Sequence, residues 1–195
     1  MTGIFAASAP FSTVSYGVFR IYSTDPKLTQ GEHVVLAKAV TPDAQVVPCR
    51  VASKCVTSTA LDALDCDCAA QNAYALSYIN RAGIGIFVYL DQEGRGNGLA
   101  VKILAMNGKA AGRDTFSAVE ELGLAADVRK YEDVPKIIDA MGVRSISLLT
   151  NNPDKAAAII NLGVHVESIV PCRAERPPAG AARHLEAKRL RGHTI

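Results

Sequence analysis

Apolar positions change period along this chain. Over the first fifty residues they gather in segments rich in Val, Tyr, Phe and Ile, at Val14–Ser23, His33–Val40 and Gln45–Val51. Turn-forming stretches, Thr24–Glu32 and Thr41–Asp43, separate these segments, so the pattern predicts strands. From Ala69 the spacing lengthens: Ala73, Leu76, Ile79 and Ala82 suit one face of a helix ending at Gly83, and the apolar run Ile84–Leu90 follows as a buried strand. The same grammar recurs in helices over Leu99–Ala111 before Gly112, Val134–Met141 before Gly142 and Pro153–Leu162 before Gly163, with strands at Ser145–Thr150 and His165–Val170. Such strand–helix–strand alternation implies parallel pairing with right-handed crossovers. The expected fold is α/β, an N-terminal antiparallel β portion followed by a mixed or parallel sheet with flanking helices. Residues 1–172 read as one domain, and Arg173–Ile195, with Pro177-Pro178 and many small and basic residues, as a flexible basic tail.

Composition narrows the partners. With 195 residues, 49% apolar and 21% charged, the chain can bury a sizeable core, and general disorder is excluded. A net charge of +2 supplies no global basic field for nucleic acid, so any anion site must be local. No apolar run approaches the ~20 residues of a membrane span, and the first residues carry no basic stretch of a secretory signal. Five cysteines, an odd number with three inside fourteen residues, suit a disulfide framework poorly. The expectation is a reduced, soluble, cytoplasmic protein with neither a membrane nor a nucleic-acid partner.

The sharpest chemical signal is Cys55 followed after ten residues by Cys66-Asp67-Cys68. Thiolates are strong zinc ligands, and a set of three leaves the fourth coordination position open, as a catalytic zinc requires. Three buried thiols, or a structural site completed by a distant ligand, would produce the same spacing. After Ile84–Leu90 comes Asp91-Gln92-Glu93-Gly94-Arg95-Gly96-Asn97-Gly98, whose glycines let backbone N–H groups approach an anion that Arg95 could grip with two bonds. Loop geometry alone also explains them. Thr150-Asn151-Asn152-Pro153-Asp154-Lys155 holds the equivalent place after Ser145–Thr150, either as a phosphate cradle or as an Asn-rich helix cap. Asp127-Val128-Arg129 reads by itself as a solvated surface pair.

Together, Arg50-Val51-x-Ser53-x-Cys55, Cys66-Asp67-Cys68, Gln71, Gln92-Glu93-Gly94-Arg95, Asp114-Thr115, Leu122-Gly123-x-x-x-Asp127-x-Arg129 and Leu148-Leu149-Thr150-Asn151-Asn152-Pro153-x-Lys155 closely resemble the GTP cyclohydrolase II family, over about residues 10–170. The resemblance implies one Zn²⁺ per subunit on Cys55, Cys66 and Cys68, whose water attacks C8 of guanine and opens the imidazole ring. A second hydrolysis then frees formate, and pyrophosphate is also released. It further implies that Arg129 attacks the α-phosphate with Asp127 as acid/base. Arg50, Val51, Ser53, Lys54, Gln71, Glu93, Gly94, Arg95, Thr115, Thr150 and Lys155 are carried over as substrate-binding positions. Mg²⁺ with the triphosphate and a homodimer are implied as well.

Departures from the family bear on the product. The family's Arg-Val-His-Ser-Glu-Cys reads here Arg50-Val51-Ala52-Ser53-Lys54-Cys55, losing an imidazole and exchanging an acid for a base. A catalytic tyrosine of the family falls at Met106, whose thioether neither donates nor relays a proton. The expected reaction is therefore opening of GTP with pyrophosphate release, stopping at the formylamino-pyrimidine. A diverged homologue acting on another nucleotide or base, as in pyrimidine catabolism, and a non-catalytic zinc-stabilised nucleotide-binding protein are the alternatives.

Overall fold

The structure, a computed structural model, describes residues 3–110, 113–172 and 182–194. A hairpin opens the sheet: β1 (Phe5–Thr13) and β2 (Gly17–Thr24) run antiparallel with Thr13 opposite Gly17. Val14–Tyr16, expected as strand, form its turn, where the Tyr16 N–H donates to Thr13 Oγ1 at 2.9 Å. β1 escapes the apolar pattern because it contains Pro10 and few β-branched residues; at the sheet edge a proline removes no ladder bond that a neighbour needs.

Five further strands follow: β3 (Val34–Lys38), β4 (Val47–Ser53), β5 (Gly85–Leu90), β6 (Ile146–Leu149) and β7 (Val166–Val170). The sheet order is β1-β2-β3-β5-β4-β6-β7. Pairings from β1 through β3 to β5 are antiparallel, and β5-β4, β4-β6 and β6-β7 are parallel. The fold is thus the expected α/β class. β4, β5 and β6 are buried along nearly their whole lengths, as parallel strands covered on both faces must be.

Helices supply the cover. They are α1 (Val56–Thr59), α2 (Cys68–Ala82), α3 (Gly98–Ala110), α4 (Thr115–Glu120), α5 (Asp133–Ala140), α6 (Pro153–Asn161) and α7 (Ala182–Leu190). Val134 and Ile137 of α5 and Ile159 of α6 pack with Val51, Val88 and Leu148 in one core cluster, whereas Ala75 and Ile79 of α2 pack with Ala52, Phe87 and Leu149 in another. Full burial of an Ile or Leu in these layers contributes about 1.5–3 kcal/mol. α2 stops at Gly83, whose φ of 74° lets its N–H turn back to the Ile79 carbonyl at 3.1 Å. Gly112 lies outside the described residues.

Three helices have no counterpart in the sequence reading, the single-turn α1 being the first. α4 begins at an N-cap, Asp114, whose carboxylate accepts from the N–H groups of Phe116 and Ser117. α7 forms within the segment expected as a flexible tail, and its Lys188 is buried against Asp67; residues 173–181 lie outside the described residues. Among the described residues no helix is long and apolar enough to cross a membrane.

Candidate active site

Parallel strands β4, β5 and β6 end side by side, and the loops leaving their carboxyl ends surround one cleft. Open α/β sheets place their ligands at this position, because loops from adjacent strands converge there. β4 delivers Arg50 and Ser53, and the residues just after it Lys54 and Cys55; the turn after β5 delivers Glu93, Gly94 and Arg95; the loop after β6 delivers Thr150, and the first turn of α6 Lys155. Cys66, Cys68 and Gln71 enter around the start of α2, Met106 from α3, and Asp127 and Arg129 from the segment before α5.

The three thiols meet at one wall. All are free, their sulfurs lie within 4.8 Å of one another, and Cys55 Sγ is 3.6 Å from Cys66 Sγ. Tetrahedral ligands about 2.3 Å from a zinc ion have sulfur–sulfur edges of about 3.8 Å, so the residues fit that ion. Lys102 of α3 donates to Cys55 Sγ at 3.1 Å and to Glu93 Oε1 at 2.8 Å. Hydrogen bonds from the other two thiols, helped by the Lys102 ammonium, hold Cys55 far below the ordinary thiol range; bonding to Cys55 pushes Cys66 and Cys68 up.

Glu93 is wholly engaged. Its Oε2 accepts from the Val56 N–H at 2.7 Å, and its Oε1 from Lys102 and from the Gly94 N–H at 3.0 Å. The carboxylate therefore ties the glycine turn to the thiol loop. Gly94 and Arg95 both take left-handed backbone angles, φ 61° and 58°, and such strain in a non-glycine residue collects at functional sites. Gly96 is required for a different reason: a Cβ there would meet the Val128 carbonyl oxygen at 2.9 Å. This close approach sets the turn against Asp127-Val128-Arg129, where Arg129 grips the Asp127 carboxylate through Nε and Nη2.

Charge in the cleft is mostly positive. Arg50 Nη1 donates to the Leu149 carbonyl at 3.0 Å, and Nη2 to Gln71 Oε1 at 2.7 Å, while Gln71 Nε2 donates to Asp67 at 2.6 Å. Lys155 Nζ is buried against the Val51 carbonyl at 2.7 Å. Burial, then the charges of Arg50 and Arg129, pull its pKa well below the usual lysine value. Arg95 is lowered to about 10 by burial and by Arg129. Among the described residues Arg50 Nε and Arg95 Nη1 are buried donors without a hydrogen-bond partner, an arrangement that an anion would relieve.

The sequence profile of GTP cyclohydrolase II matches residues 5–171. This chain belongs to the GTP cyclohydrolase II family. A GTP cyclohydrolase-2 from Teredinibacter turnerae is 37% identical over 182 residues, covering 93% of this chain and 91% of that protein. The riboflavin biosynthesis protein RibBA of Chlorobium phaeovibrioides is 40% identical over 182 residues, 93% of this chain but 44% of its own length. Among solved structures, a two-domain 3,4-dihydroxy-2-butanone 4-phosphate synthase from A. baumannii aligns with a TM-score of 0.46 and 18% identity, over 85% of this chain and 39% of that one.

Against the GTP cyclohydrolase II pattern, two positions stand apart. The Val51 side chain does not reach the cleft: it is fully buried in the core, and only its carbonyl takes part, by holding Lys155. Strand alternation turns it away from its neighbours Arg50 and Ala52. Lys54 lines the cleft but its ammonium pairs with Asp91 at 2.9 Å, both side chains being substantially exposed. The side chain of Thr115 lies outside the described residues. Ser53 and Thr150 have local partners, accepting from Gln92 Nε2 and from the Asn152 N–H at 3.1 Å each.

Sequence reasoning missed Lys102, Lys188, Arg191 and His193, which all line the cleft. A signal for Lys102 existed, since it precedes Met106 by four residues and so shares its helix face. The other three fall in the segment that proline and glycine content marked as tail.

Proposed function

We propose that this protein hydrolytically opens the imidazole ring of GTP and releases pyrophosphate, keeping the formyl group on the pyrimidine product. One observation carries the reading: a three-thiol cluster shares a cleft with the partnerless buried donors of Arg50 and Arg95. A purine nucleotide matches both ends of that cleft, with its ring toward the sulfurs and its phosphates toward the cations. Cys55, Cys66 and Cys68 would hold a Zn²⁺ ion, which when bound would supply Lewis-acid activation of water for attack on an electrophilic ring carbon.

The chain's own residues do the rest. Arg95, Arg129 and Lys155 bind and orient the polyphosphate, which Mg²⁺ accompanies. Asp127 lies within hydrogen-bond reach of two guanidine nitrogens of Arg129, so a proton leaving that group has an acceptor as its nitrogen attacks the α-phosphate and pyrophosphate departs; water then cleaves the N–P bond and frees Arg129. The same pairing opposes the transfer: although burial pushes each the other way, it leaves Asp127 below the ordinary carboxylate range and Arg129 above its usual value. Met106 is half-buried in the cleft and carries no O–H for the second hydrolysis that would free formate. A homodimer completes the reading.

Incubation of the zinc-loaded protein with GTP and Mg²⁺, following pyrophosphate, formate and the ultraviolet spectrum together, tests it. Ring opening and pyrophosphate without formate are expected, and Cys66→Ser should lose both the zinc and the ring opening. Formate release overturns the role given to Met106; turnover by metal-free Cys66→Ser overturns the thiol site. A second reading, hydrolysis of another nucleotide or base, is favoured by Ala52, a buried methyl in the cleft where the family carries an imidazole. Inert GTP with turnover of another nucleotide selects it.

A further inference from the structure

The segment from α7 to Thr194 spans the cleft between its two chemical ends. At the thiol end, Lys188 donates to Asp67, which sits between Cys66 and Cys68 and is itself buried. At the other end the Thr194 N–H donates to the Asn151 carbonyl at 3.0 Å, in the loop that carries Thr150 and Lys155. Next to the first anchor, Ala187 packs with Phe116 and Ala126.

Of the side chains this span presents to the cleft, Arg191 is the one stacked on Phe116. Its guanidinium carbon lies 3.6 Å from the centroid of Phe116, and that of Arg95 lies 3.4 Å from the same centroid. Two planar groups at contact distance from one ring centre must occupy opposite faces, so Phe116 is held between two cations. Stacking on an aromatic face is favourable for a guanidinium and leaves its in-plane N–H donors free. Of the carboxylates near Arg191, Glu120 is 3.6 Å away and about half exposed, as is the arginine, a weak pair, and Asp114, the N-cap of α4, also feels its charge. Arg191 thus adds positive charge beside the partnerless Arg95 Nη1, an energetic cost unless an anion binds.

We propose that the segment from α7 to Thr194 completes the substrate site: Arg191, stacked on Phe116 opposite Arg95, is a further binding residue for the phosphate end of the nucleotide, and Lys188 is the positioning residue that seats it through Asp67. The inference rests on the nucleotide reading of the cleft. It assigns a binding role to a segment outside the motifs of the family resemblance, and its ligand chemistry is a polyphosphate.

Arg191→Met keeps an unbranched stem against Phe116 and removes the charge. Loss of a charge-assisted contact to phosphate should weaken binding about 10- to 100-fold. This is read by calorimetry as the affinity of the zinc-loaded protein for inorganic triphosphate with Mg²⁺, and in turnover as a rise in KM for GTP that exceeds the fall in kcat. Lys188→Met should produce a similar loss, and the double variant should be little weaker than either single one, because both act through one contact. Additive losses would make Lys188 an independent group and overturn its positioning role. Lys188→Arg should restore the affinity. If Arg191→Met lowers the melting temperature, Arg191→Lys supplies the comparison, with several-fold weaker binding expected. Wild-type turnover of GTP with unchanged triphosphate affinity and KM in the Arg191 variants overturns this inference and leaves the proposed function standing. Triphosphate binding that depends on Arg191, in a protein that does not open GTP, overturns the proposed function and leaves the polyphosphate site standing.

Discussion

Lys102 Nζ lies 3.1 Å from Cys55 Sγ and 2.8 Å from Glu93 Oε1, so one ammonium joins the thiol cluster to the carboxylate that braces the glycine turn. Three thiolates around a dication carry a net negative charge, which this ammonium offsets while fixing the Cys55 sulfur. Lys102→Met should weaken zinc binding about 10- to 100-fold, as loss of an outer partner of a metal ligand does. Competition with a chelator of known affinity measures it, and an unchanged zinc affinity would show that the contact is incidental.

The proposed product, and not the binding of GTP, rests on Met106. Met106→Tyr places an O–H at a half-buried position of the same cleft, where it can donate or relay a proton. Formate should then appear alongside pyrophosphate, with KM for GTP little altered. A tyrosine variant that still yields only the formylamino product would mean that more than this group is missing.

Gly96 couples the arginine turn to the Asp127 and Arg129 pair. Its φ is 88°, and a Cβ would lie 2.9 Å from the Val128 carbonyl oxygen. Gly96→Ala should cost about 1–3 kcal/mol in stability and reduce turnover about 100-fold, because a displacement near 1 Å in a catalytic constellation has that effect. Gly123→Ala is the control. Gly123 has a φ of 75° but nothing within 4 Å of its Cβ position, so its variant should share the backbone strain and keep the activity. Equal activities in the two variants would remove the steric argument.

A buried carboxylate, Asp133, makes stability depend on pH in acid. Asp133 accepts from His33 Nε2 at 3.0 Å, from the Gln30 N–H at 2.6 Å and from Lys136 at 2.7 Å. The Asp91 N–H donates to His33 Nδ1, which leaves Nε2 as the donor toward Asp133. Burial pushes the Asp133 carboxyl up, but these hydrogen bonds outweigh it and hold it below the ordinary carboxylate value. A depressed pKa adds stability that is present above the unfolded-state value of about 3.9 and is lost as pH falls through the folded-state value. Asp133→Asn should therefore cost about 1–3 kcal/mol near neutral pH, with the difference from wild type flat above pH 5 and narrowing below pH 4. Urea midpoints across that range decide it; a gap that persists undiminished in acid contradicts the linkage.

Local pattern and tertiary placement divide this protein cleanly. β5, α2 and α6 are readable because each has a sustained period and a terminator close in sequence, such as Gly83 after α2. β1 is not, since an exposed edge strand needs no apolar alternation, and α4 is too short to show a period, although Asp114 caps it visibly. α7 is hidden because its stability comes from Lys188 reaching Asp67, 121 residues away, and not from an apolar stripe of its own. By itself the sequence determined the α/β alternation and the family, and marked Cys55, Cys66 and Cys68 as candidate metal ligands. Only the tertiary structure decided that the ends of β4, β5 and β6 meet, that Val51 faces the core while Arg50 faces the cleft, and that Arg191 shares a phenyl ring with Arg95. The reason is physical: period and residue chemistry are local properties of a chain, whereas charge pairing across 100 residues depends on the order in which the strands are laid into the sheet.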